Sequence, residues 1–334
     1  MANFSLDDLL NLQPSVVSRD LTGYITYLYG AAKVGKTTLA KEMGALILAC
    51  EDGTRAMSGA YAQIMQSWSD IRLMARLLKD PRMKEKYKAI AVDTVDIAAA
   101  LCEKYICSQH GVDKLGEIPY GGGWSAFKKE FEDVFRGISL QGYAVLFISH
   151  DKEKIITRQN GTEYTKIVPT VSDSINNIVK NMSDIIAYGY QEAETEDRYM
   201  ILRSDGSVEA GTRFPYMASK IPFGYKYLVE ALNKAIDEEE KHNGSDAVTS
   251  SKIVRTATAE LDFDSLIGMF NETLSSLMDK EGEEQFNLYW APRIVEITER
   301  YLGKGKKVNT CTRDQVEQLC LIVDELNDLV QTHQ

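Results

Sequence analysis

The sequence lacks the features that mark membrane proteins, secreted proteins and zinc-dependent folds. No apolar run approaches the ~18 residues that span a bilayer, and the first residues, MANFS, lack the basic-then-apolar order of a signal peptide. The 5 cysteines contain no C-x-x-C pair and are odd in number, which argues against a disulfide framework or a zinc site. We therefore predict buried, hydrophobic cysteines and a protein that stays in the cytosol, with no membrane partner.

Positive charge is also scarce. The 38 lysine and arginine residues are outnumbered by 49 aspartate and glutamate residues, giving a formal net charge of -11. A protein that binds nucleic acid over a large surface is usually basic, so any contact of this chain with nucleic acid must come from local patches of positive charge. The 334 residues and the 44% hydrophobic content predict a globular protein of about two domains with a sizeable core.

One stretch near the N-terminus matches G-x-x-x-x-G-K-[ST], the pattern of a phosphate-binding loop. It follows a strand-like run at residues 24–29 and opens a helix-like run at residues 36–43. The glycines let the backbone wrap closely, so that N–H groups and the helix N-terminus point at a phosphate chain. An ordinary glycine-rich turn is the alternative. The residues predicted to surround a nucleotide are Gly30, Ala31, Ala32, Lys33, Val34, Gly35, Lys36, Thr37 and Thr38.

Individual residues of this loop have distinct expected roles. Lys36 would reach the β- and γ-phosphates, and Thr37 would place its hydroxyl on Mg²⁺. Lys33 lies two residues before Gly35, inside the loop, where we expect it to face solvent or a partner. The sequence therefore predicts a site for a nucleoside triphosphate and Mg²⁺.

Strands alternate with helices after this loop, which indicates a mainly parallel sheet covered on both faces. A β-hairpin with basic residues is expected around the turn 159–161, within residues 151–169. The fold class is therefore α/β, with helices flanking the sheet. The predicted strands are residues 45–50, 89–94, 143–150, 182–190 and 198–203, and the predicted helices are residues 69–79, 96–109 and 124–137.

The composition divides the chain into four segments. Residues 1–20 form a lead segment with a short helix over 5–12, and residues 21–236 hold the α/β core. Residues 237–260 begin as a polar, charged stretch with Gly and Ser, which is typical of a linker. Residues 261–334 form a small all-α module with an apolar stripe on its last helix. Its predicted helices are residues 263–279, 284–303 and 312–331.

Acidic or polar residues end three predicted parallel strands, at the edge where open α/β sheets bind ligands. Asp93 fits a Walker B acid near Mg²⁺, although an Asp before a helix can also be an N-cap. Glu51 is placed to orient or deprotonate an attacking water; Asp52 competes for that role, and the pair can also form a simple turn. His150, or Ser149 beside it, could sense the γ-phosphate, although a lone His is often structural.

Four segments together resemble the core of the RecA-type ATPases. They are residues 30–38, the strand ending in Cys50-Glu51, residues 91–95 and the strand ending in His150. More narrowly, YLYGAAKVGKTTLA, YKAIAVDTVD and YGGGWSAF resemble the phage nucleotide-binding proteins of the Sak group. These are RecA-core ATPases that anneal single strands in phage recombination, beside a single-strand DNA-binding protein. The likeness covers residues 22–232.

The resemblance implies a RecA-like ATPase core that uses ATP and Mg²⁺, binds single-stranded DNA and works in the host cytoplasm if the chain is phage-encoded. It also implies a homo-oligomer, a ring or a filament, in which a cation of the adjacent subunit closes the ATP site; Arg213 and Lys220 are candidates. Carried over residue by residue, it places Lys36 and Thr37 on nucleotide and Mg²⁺, Asp93 on the metal-bound water, Glu51 as the catalytic carboxylate and His150 in the sensor position.

RecA-type proteins contact DNA through two loops, which follow the third and fourth strands. In this chain the first would be residues 116–123, with Tyr120 and Trp124 able to stack on bases. The second would be the basic hairpin, with Lys152, Lys154, Arg158 and Lys166. The alternatives are aromatic residues that pack locally and a hairpin whose lysines are only solvated.

Three features depart from the RecA type: the acidic charge, the short helix after the loop and the C-terminal module. The module resembles helical tails of other phage recombination proteins, which suggests partner binding or regulation; a bundle that only stabilises the oligomer is the equal alternative. Two other functions stay open. One is a nucleotide-dependent scaffold that recruits a partner through the C-terminal helices; the other is another P-loop enzyme, such as a helicase loader or a small-molecule kinase.

Overall fold

The chain divides into two units, residues 14–256 and residues 257–334 together with 1–13. The structure is a computed structural model that describes residues 10, 16–51, 53, 57–250 and 262–333. The helix predicted over residues 5–12 therefore lies outside the described residues, apart from Leu10, and Asp52 also lies outside them.

The central strands of the first unit are apolar runs, as expected for segments that fit a pleated, buried surface. Six residues of the strand before the phosphate loop are all buried. The strands are Val17–Ser18 (β1), Ile25–Gly30 (β2), Leu46–Ala49 (β3), Tyr61–Ile64 (β4), Ala89–Asp93 (β5), Ala144–Ser149 (β6), Asp151–Thr157 (β7), Glu163–Pro169 (β8), Ile185–Gln191 (β9), Arg198–Ile201 (β10), Gly211–Thr212 (β11), Lys220–Pro222 (β12) and Val248–Thr249 (β13).

Most of these strands form one central sheet, in the order β12-β10-β9-β2-β6-β5-β3-β4, with β11 also pairing with β9. The run from β9 to β4 is parallel throughout, whereas β10, β11 and β12 are antiparallel to their neighbours. Because β6 lies between β2 and β5, the carboxyl ends of these three strands meet at one edge. The predicted fold class, a mainly parallel α/β sheet, is confirmed.

Helices cover both faces of the sheet. Alternation along β2 sends Tyr27 into one apolar cluster and Leu28 into the other. The first cluster contains Phe131, and the second contains Leu39 and Leu228. The helices of this unit are Lys36–Glu42 (α1), Trp68–Leu77 (α2), Pro81–Lys86 (α3), Val95–His110 (α4), Gly122–Leu140 (α5), Asp173–Met182 (α6) and Tyr225–Asn243 (α7).

Several elements differ from the sequence-based predictions. All four residues of β4 are exposed, so the strand carries no apolar alternation that would reveal it. The sequence predicts a linker from residue 237, but α7 continues through Asn243, and Arg19 forms ion pairs with Asp237 and Glu240 on this stretch. Residues 116–123, predicted as a loop, instead hold most of two short 3₁₀ turns, Leu115–Glu117 and Pro119–Gly121, and the first residues of α5.

The second unit is helical, as predicted. An apolar cluster that includes Leu266, Phe270, Ile297 and Leu319 joins its helices. A π-helical turn, Phe286–Trp290, precedes the second of them. The helices are Phe263–Glu281 (α8), Ala291–Leu302 (α9) and Val316–Thr332 (α10).

Two predictions from the sequence concern the burial of the cysteines and the absence of a membrane-spanning segment. Cys102, Cys107 and Cys320 are buried as predicted, whereas Cys50 and Cys311 are partly exposed. Across the described ranges, no helix combines the length and the apolar character that crossing a bilayer requires.

Candidate functional site

The phosphate loop connects β2 to α1, as the sequence predicts. Gly30 ends β2, and Gly35 caps α1 with a φ of 116°, a left-handed conformation that favours glycine. Lys33 is exposed, as expected, and also has a positive φ of 66°. Val34 is buried, whereas Ala31 and Ala32 are exposed. The loop therefore begins and ends at the two glycines of the motif.

The Lys36 side chain folds back along the loop. Its Nζ donates to the carbonyl oxygens of Gly30 at 2.6 Å and Ala31 at 2.9 Å. Burial lowers the pKa of Lys36, and the charge of Asp93 opposes that shift. The ammonium group is thus held by backbone carbonyls at the start of the loop, where a phosphate chain could compete for it.

Thr37 and Asp93 meet where α1 begins and β5 ends. The Thr37 hydroxyl donates to Asp93 Oδ2 at 2.6 Å. Burial raises the pKa of the Asp93 carboxyl and the charge of Glu51 raises it further, whereas the Thr37 hydrogen bond and the Lys36 charge lower it. Thr94, not Asp93, is the N-cap residue of α4. A hydroxyl and a carboxylate are oxygen ligands that suit Mg²⁺, so this pair fits the ion.

Glu51 lies beside this pair and is held from two sides. Its Oε1 accepts a hydrogen bond from the Thr94 hydroxyl at 2.9 Å and lies 3.1 Å from His150 Nε2. Both contacts fall on Oε1, so Oε2 can accept a hydrogen bond from water. The structure therefore brings together Glu51, Asp93 and His150 from the ends of three different strands, as the sequence predicts. It adds Thr94, a small hydroxyl residue directly after Asp93, as a fourth member.

The proposed DNA-contacting residues lie on two segments. Tyr120 is fully exposed and has a positive φ of 58°, and Trp124 is 47% exposed in α5.

β7 and β8 form the predicted hairpin. The hairpin cations have contacts of their own: Lys152 Nζ donates to Thr170 O at 3.0 Å, and Lys154 Nζ donates to Asp173 Oδ2 at 2.7 Å. The Arg158 guanidinium lies 4.7 Å from the ring centre of Tyr164, and Lys166 is half-buried.

The two candidate trans-acting cations differ in their surroundings. Arg213 donates to buried Asp184 at 2.9 Å and to Asn181 O at 2.7 Å. Because Asp184 also accepts the Ile25 N–H, Arg213 is tied to the start of β2, at the far end from the loop. Lys220 lies on the edge strand β12, with its ammonium 3.9 Å from the ring centre of Tyr199.

The raised pKa of Asp93 predicts that this carboxylate destabilises the fold. Between the ordinary pKa of an Asp and the raised value, the folded state binds more protons than the unfolded state, so stability falls as pH rises through that window. In EDTA at pH 7.5, Asp93→Asn should therefore melt at a higher temperature than the wild type, and the gap should close near pH 4. Asn keeps an oxygen that can accept from Thr37.

Differential scanning calorimetry at the two pH values measures this effect. Exposed Asp113→Asn is the matched control and should leave the melting temperature within about 1 °C of the wild type. An Asp93→Asn variant that melts below the wild type at pH 7.5 would show that the ionised carboxylate stabilises the fold.

Three comparisons relate the chain to known proteins. Residues 22–214 match the protein family described as AAA domain. The SPbeta prophage-derived uncharacterized protein YorG of Bacillus subtilis (strain 168) is 31% identical over 334 residues, covering 97% of this chain and 98% of YorG. A crystal structure of the RadB recombinase aligns with a TM-score of 0.36 and 13% identity, over 62% of this chain and 90% of that one.

The family match includes the phosphate loop and the residues at the ends of β3, β5 and β6. It covers more than half of the chain, and the prophage relative aligns with nearly all of it. The chain therefore belongs to the AAA domain family of P-loop NTPases.

Proposed function

We propose that this protein is an ATPase of the Sak type, which binds and pairs single-stranded DNA in phage recombination beside a single-strand DNA-binding protein. The observation that carries the ATPase part of the proposal is the placement of Glu51, held by Thr94 and His150, next to the Thr37–Asp93 pair. A carboxylate with one bound and one open oxygen suits a group that orients an attacking water.

Each residue of the site then has a defined task. Lys36 exchanges its two loop carbonyls for the β- and γ-phosphates. Thr37 and Asp93 would hold Mg²⁺, which when bound would supply positive charge that offsets that of the phosphates. Glu51 Oε2 accepts a hydrogen bond from the attacking water and orients it towards the γ-phosphate. His150 Nε2 donates to either Glu51 or the γ-phosphate, and so reports which nucleotide is bound.

The position of His150 also supports a link to DNA. The residue directly precedes β7, and its carbonyl oxygen accepts the Thr170 N–H at 3.0 Å, which closes the base of the hairpin. The Thr170 hydroxyl also donates to Asp96 in α4. A change in the contact between His150 and Glu51 would therefore act on the hairpin within one residue. Exposed Tyr120 and Trp124 offer rings on which bases can stack.

The proposal includes a homo-oligomer, a ring or a filament, that assembles through the nucleotide site. Lys220 is the better candidate for the cation that reaches the neighbouring subunit, because Arg213 is committed to buried Asp184. Lys220 is exposed at the sheet edge, and its contacts with Tyr199 and Glu192 are those of a surface residue. The C-terminal helices are proposed to bind a partner. Native mass measurements in ATP and in ADP test the assembly.

The rate of ATP hydrolysis, measured with and without single-stranded DNA, tests the proposed function. We expect DNA to raise the turnover of the wild type, and Lys36→Ala to abolish nucleotide binding and turnover together. Nucleotide binding without turnover would instead support a scaffold, and transfer of phosphate to a small acceptor would support a kinase. Either outcome would contradict the proposal.

The hairpin can be tested separately through the salt dependence of DNA binding. Replacing Lys152, Lys154, Arg158 and Lys166 by Ala should make the slope of log K against log[salt] shallower, by about 0.7 for each lost phosphate contact on a single strand. The control replaces four exposed cations elsewhere, which are Arg82, Lys84, Lys234 and Lys241. An unchanged slope in the hairpin variant, or an equal change in the control, would show that the hairpin does not contact DNA.

A further inference from the structure

Two side chains from the edge of the sheet cover the outer side of the phosphate loop. The Arg198 guanidinium donates from Nη1 to the Val34 carbonyl oxygen at 3.2 Å. The Phe223 ring packs beside it, so that a Cβ added to Gly35 would lie 3.0 Å from Phe223 Cε1 and 3.0 Å from Arg198 Nη1. The loop is therefore in contact with β10 and with the residue that follows β12.

This covering pair is anchored in the central sheet. The Phe223 N–H donates to the Arg198 carbonyl oxygen at 2.8 Å and extends the pairing of β10 with β12. The same ring packs so closely on β9 that a Cβ on Gly189 would lie 2.6 Å from Phe223 Cε2. Because both backbones belong to the sheet, Arg198 approaches the loop from a fixed base.

The contact with Val34 fixes the direction of the next N–H group. The Val34 carbonyl and the Gly35 N–H belong to one planar trans peptide, in which the two groups point in opposite directions. Holding the carbonyl outward on Arg198 therefore turns the Gly35 N–H to the other side of the loop. In the described part of the chain this N–H has no acceptor, which leaves it available for an anion.

Arg198 also contributes a charge. Its guanidinium stays protonated at any physiological pH and carries several donors, of which the Val34 contact uses one. The side chain is exposed and makes no ion pair with a carboxylate of the described residues. A permanent positive charge therefore lies beside the loop and favours a polyphosphate there.

We propose that Arg198 is a positioning residue for nucleotide phosphates, acting through the Val34–Gly35 peptide. It holds the Gly35 N–H towards the diphosphate portion of the ligand, and its charge strengthens binding of that portion. The inference rests on the proposed binding of ATP at this loop. It also ties that binding to β10 and to the edge strand β12, which carries Lys220.

Nucleotide affinities of Arg198 variants test this inference. The affinities for ATP, ADP and AMP are measured by titration calorimetry, with competition against ADP for weak binders, in the full chain at fixed ionic strength. Arg198→Ala should weaken ATP and ADP binding about 10-fold and AMP binding less than 2-fold, since AMP lacks the diphosphate. Arg198→Lys, which keeps the charge and a donor, should restore part of the loss. KM for ATP should rise more than kcat falls.

Exposed Arg82→Ala is the matched control, because it removes a surface arginine far along the chain from the loop. Unchanged ATP affinity in Arg198→Ala, an equal loss for AMP, or an equal loss in the control would overturn the inference. The inference would also be overturned if nucleotide-free Arg198→Ala melted several degrees below the wild type, because Arg198 would then act in folding alone. If the wild type binds ATP and Lys36→Ala does not, an unchanged ATP affinity in Arg198→Ala contradicts this inference only. If the wild type binds no ATP, the proposed function is contradicted as well.

Discussion

Replacing Glu51 by Gln should lower kcat for ATP hydrolysis by about 10²- to 10⁴-fold, the usual contribution of a general base. Gln has an oxygen that can accept from Thr94 and His150, so the local structure should survive. It cannot take a proton from water, however, and it orients the nucleophile without a negative charge. ATP affinity should therefore stay within about 3-fold of the wild type, as expected when an interaction acts mainly in the transition state.

Rapid-quench measurement of ATP cleavage, together with ATP affinity from calorimetry, separates these two effects. Asp52→Asn is the matched control, because it removes the neighbouring carboxylate that competes for the same role. If Asp52→Asn abolishes cleavage while Glu51→Gln retains it, the catalytic assignment passes to Asp52. If both variants keep the rate of the wild type, neither carboxylate activates the water.

Replacing Gly30 by Ala should destabilise the fold by about 3–5 kcal/mol, a sum of backbone strain and overpacking. Gly30 has a φ of 153°, and a Cβ there would lie 2.0 Å from the carbonyl oxygen of Gly189. Both atoms belong to paired strands, β2 and β9, so neither can move without disturbing the centre of the sheet. The first glycine of the motif is therefore required for strand packing as well as for the loop.

Urea unfolding of the nucleotide-free protein measures the change in the free energy of unfolding. Gly44→Ala is the control, because Gly44 also has a positive φ, of 65°, but a Cβ added there would meet nothing within 4 Å. We expect that variant to lose about 1 kcal/mol, from backbone strain alone. Equal losses in the two variants would show that contact with Gly189 contributes nothing.

The residues of the candidate site were predictable because their signals are local. The phosphate loop is one contiguous motif, and Glu51, Asp93 and His150 each follow an apolar run that is recognisable as a buried strand. The rule that parallel strands present their carboxyl ends at one edge then brings the three together. Neither step requires knowledge of which strands are neighbours.

Arg198 and Phe223 could not be found in this way. They lie more than 160 residues after the loop they cover, and their contact depends on β9 lying next to β2. In the sequence, Arg198 is an ordinary first residue of a strand.

The helix Asp173–Met182 was not predicted, although the sequence contains a signal for it. Ile175, Val179 and Met182 recur at helical spacing and could have revealed the helix.

The lengths of the elements were also only partly predictable. The charged residues after Ile236 resemble a linker in composition. The helix α7 nevertheless continues beyond its last buried residue, Ile236, and ends at Asn243. Composition describes the exposed side of such a helix, whereas its end depends on capping; here Gly244 has a positive φ of 88°.

The affinity for single-stranded DNA in different nucleotide states tests the central claim most directly, namely that the phosphate loop controls the segments proposed to contact DNA. The measurement is fluorescence anisotropy of a labelled oligo(dT), with Glu51→Gln used to keep ATP intact. We predict binding at least about 5-fold tighter with Mg²⁺ and ATP than with Mg²⁺ and ADP, the lower end of common coupling strengths. Equal affinities with ATP, with ADP and without nucleotide would contradict the account.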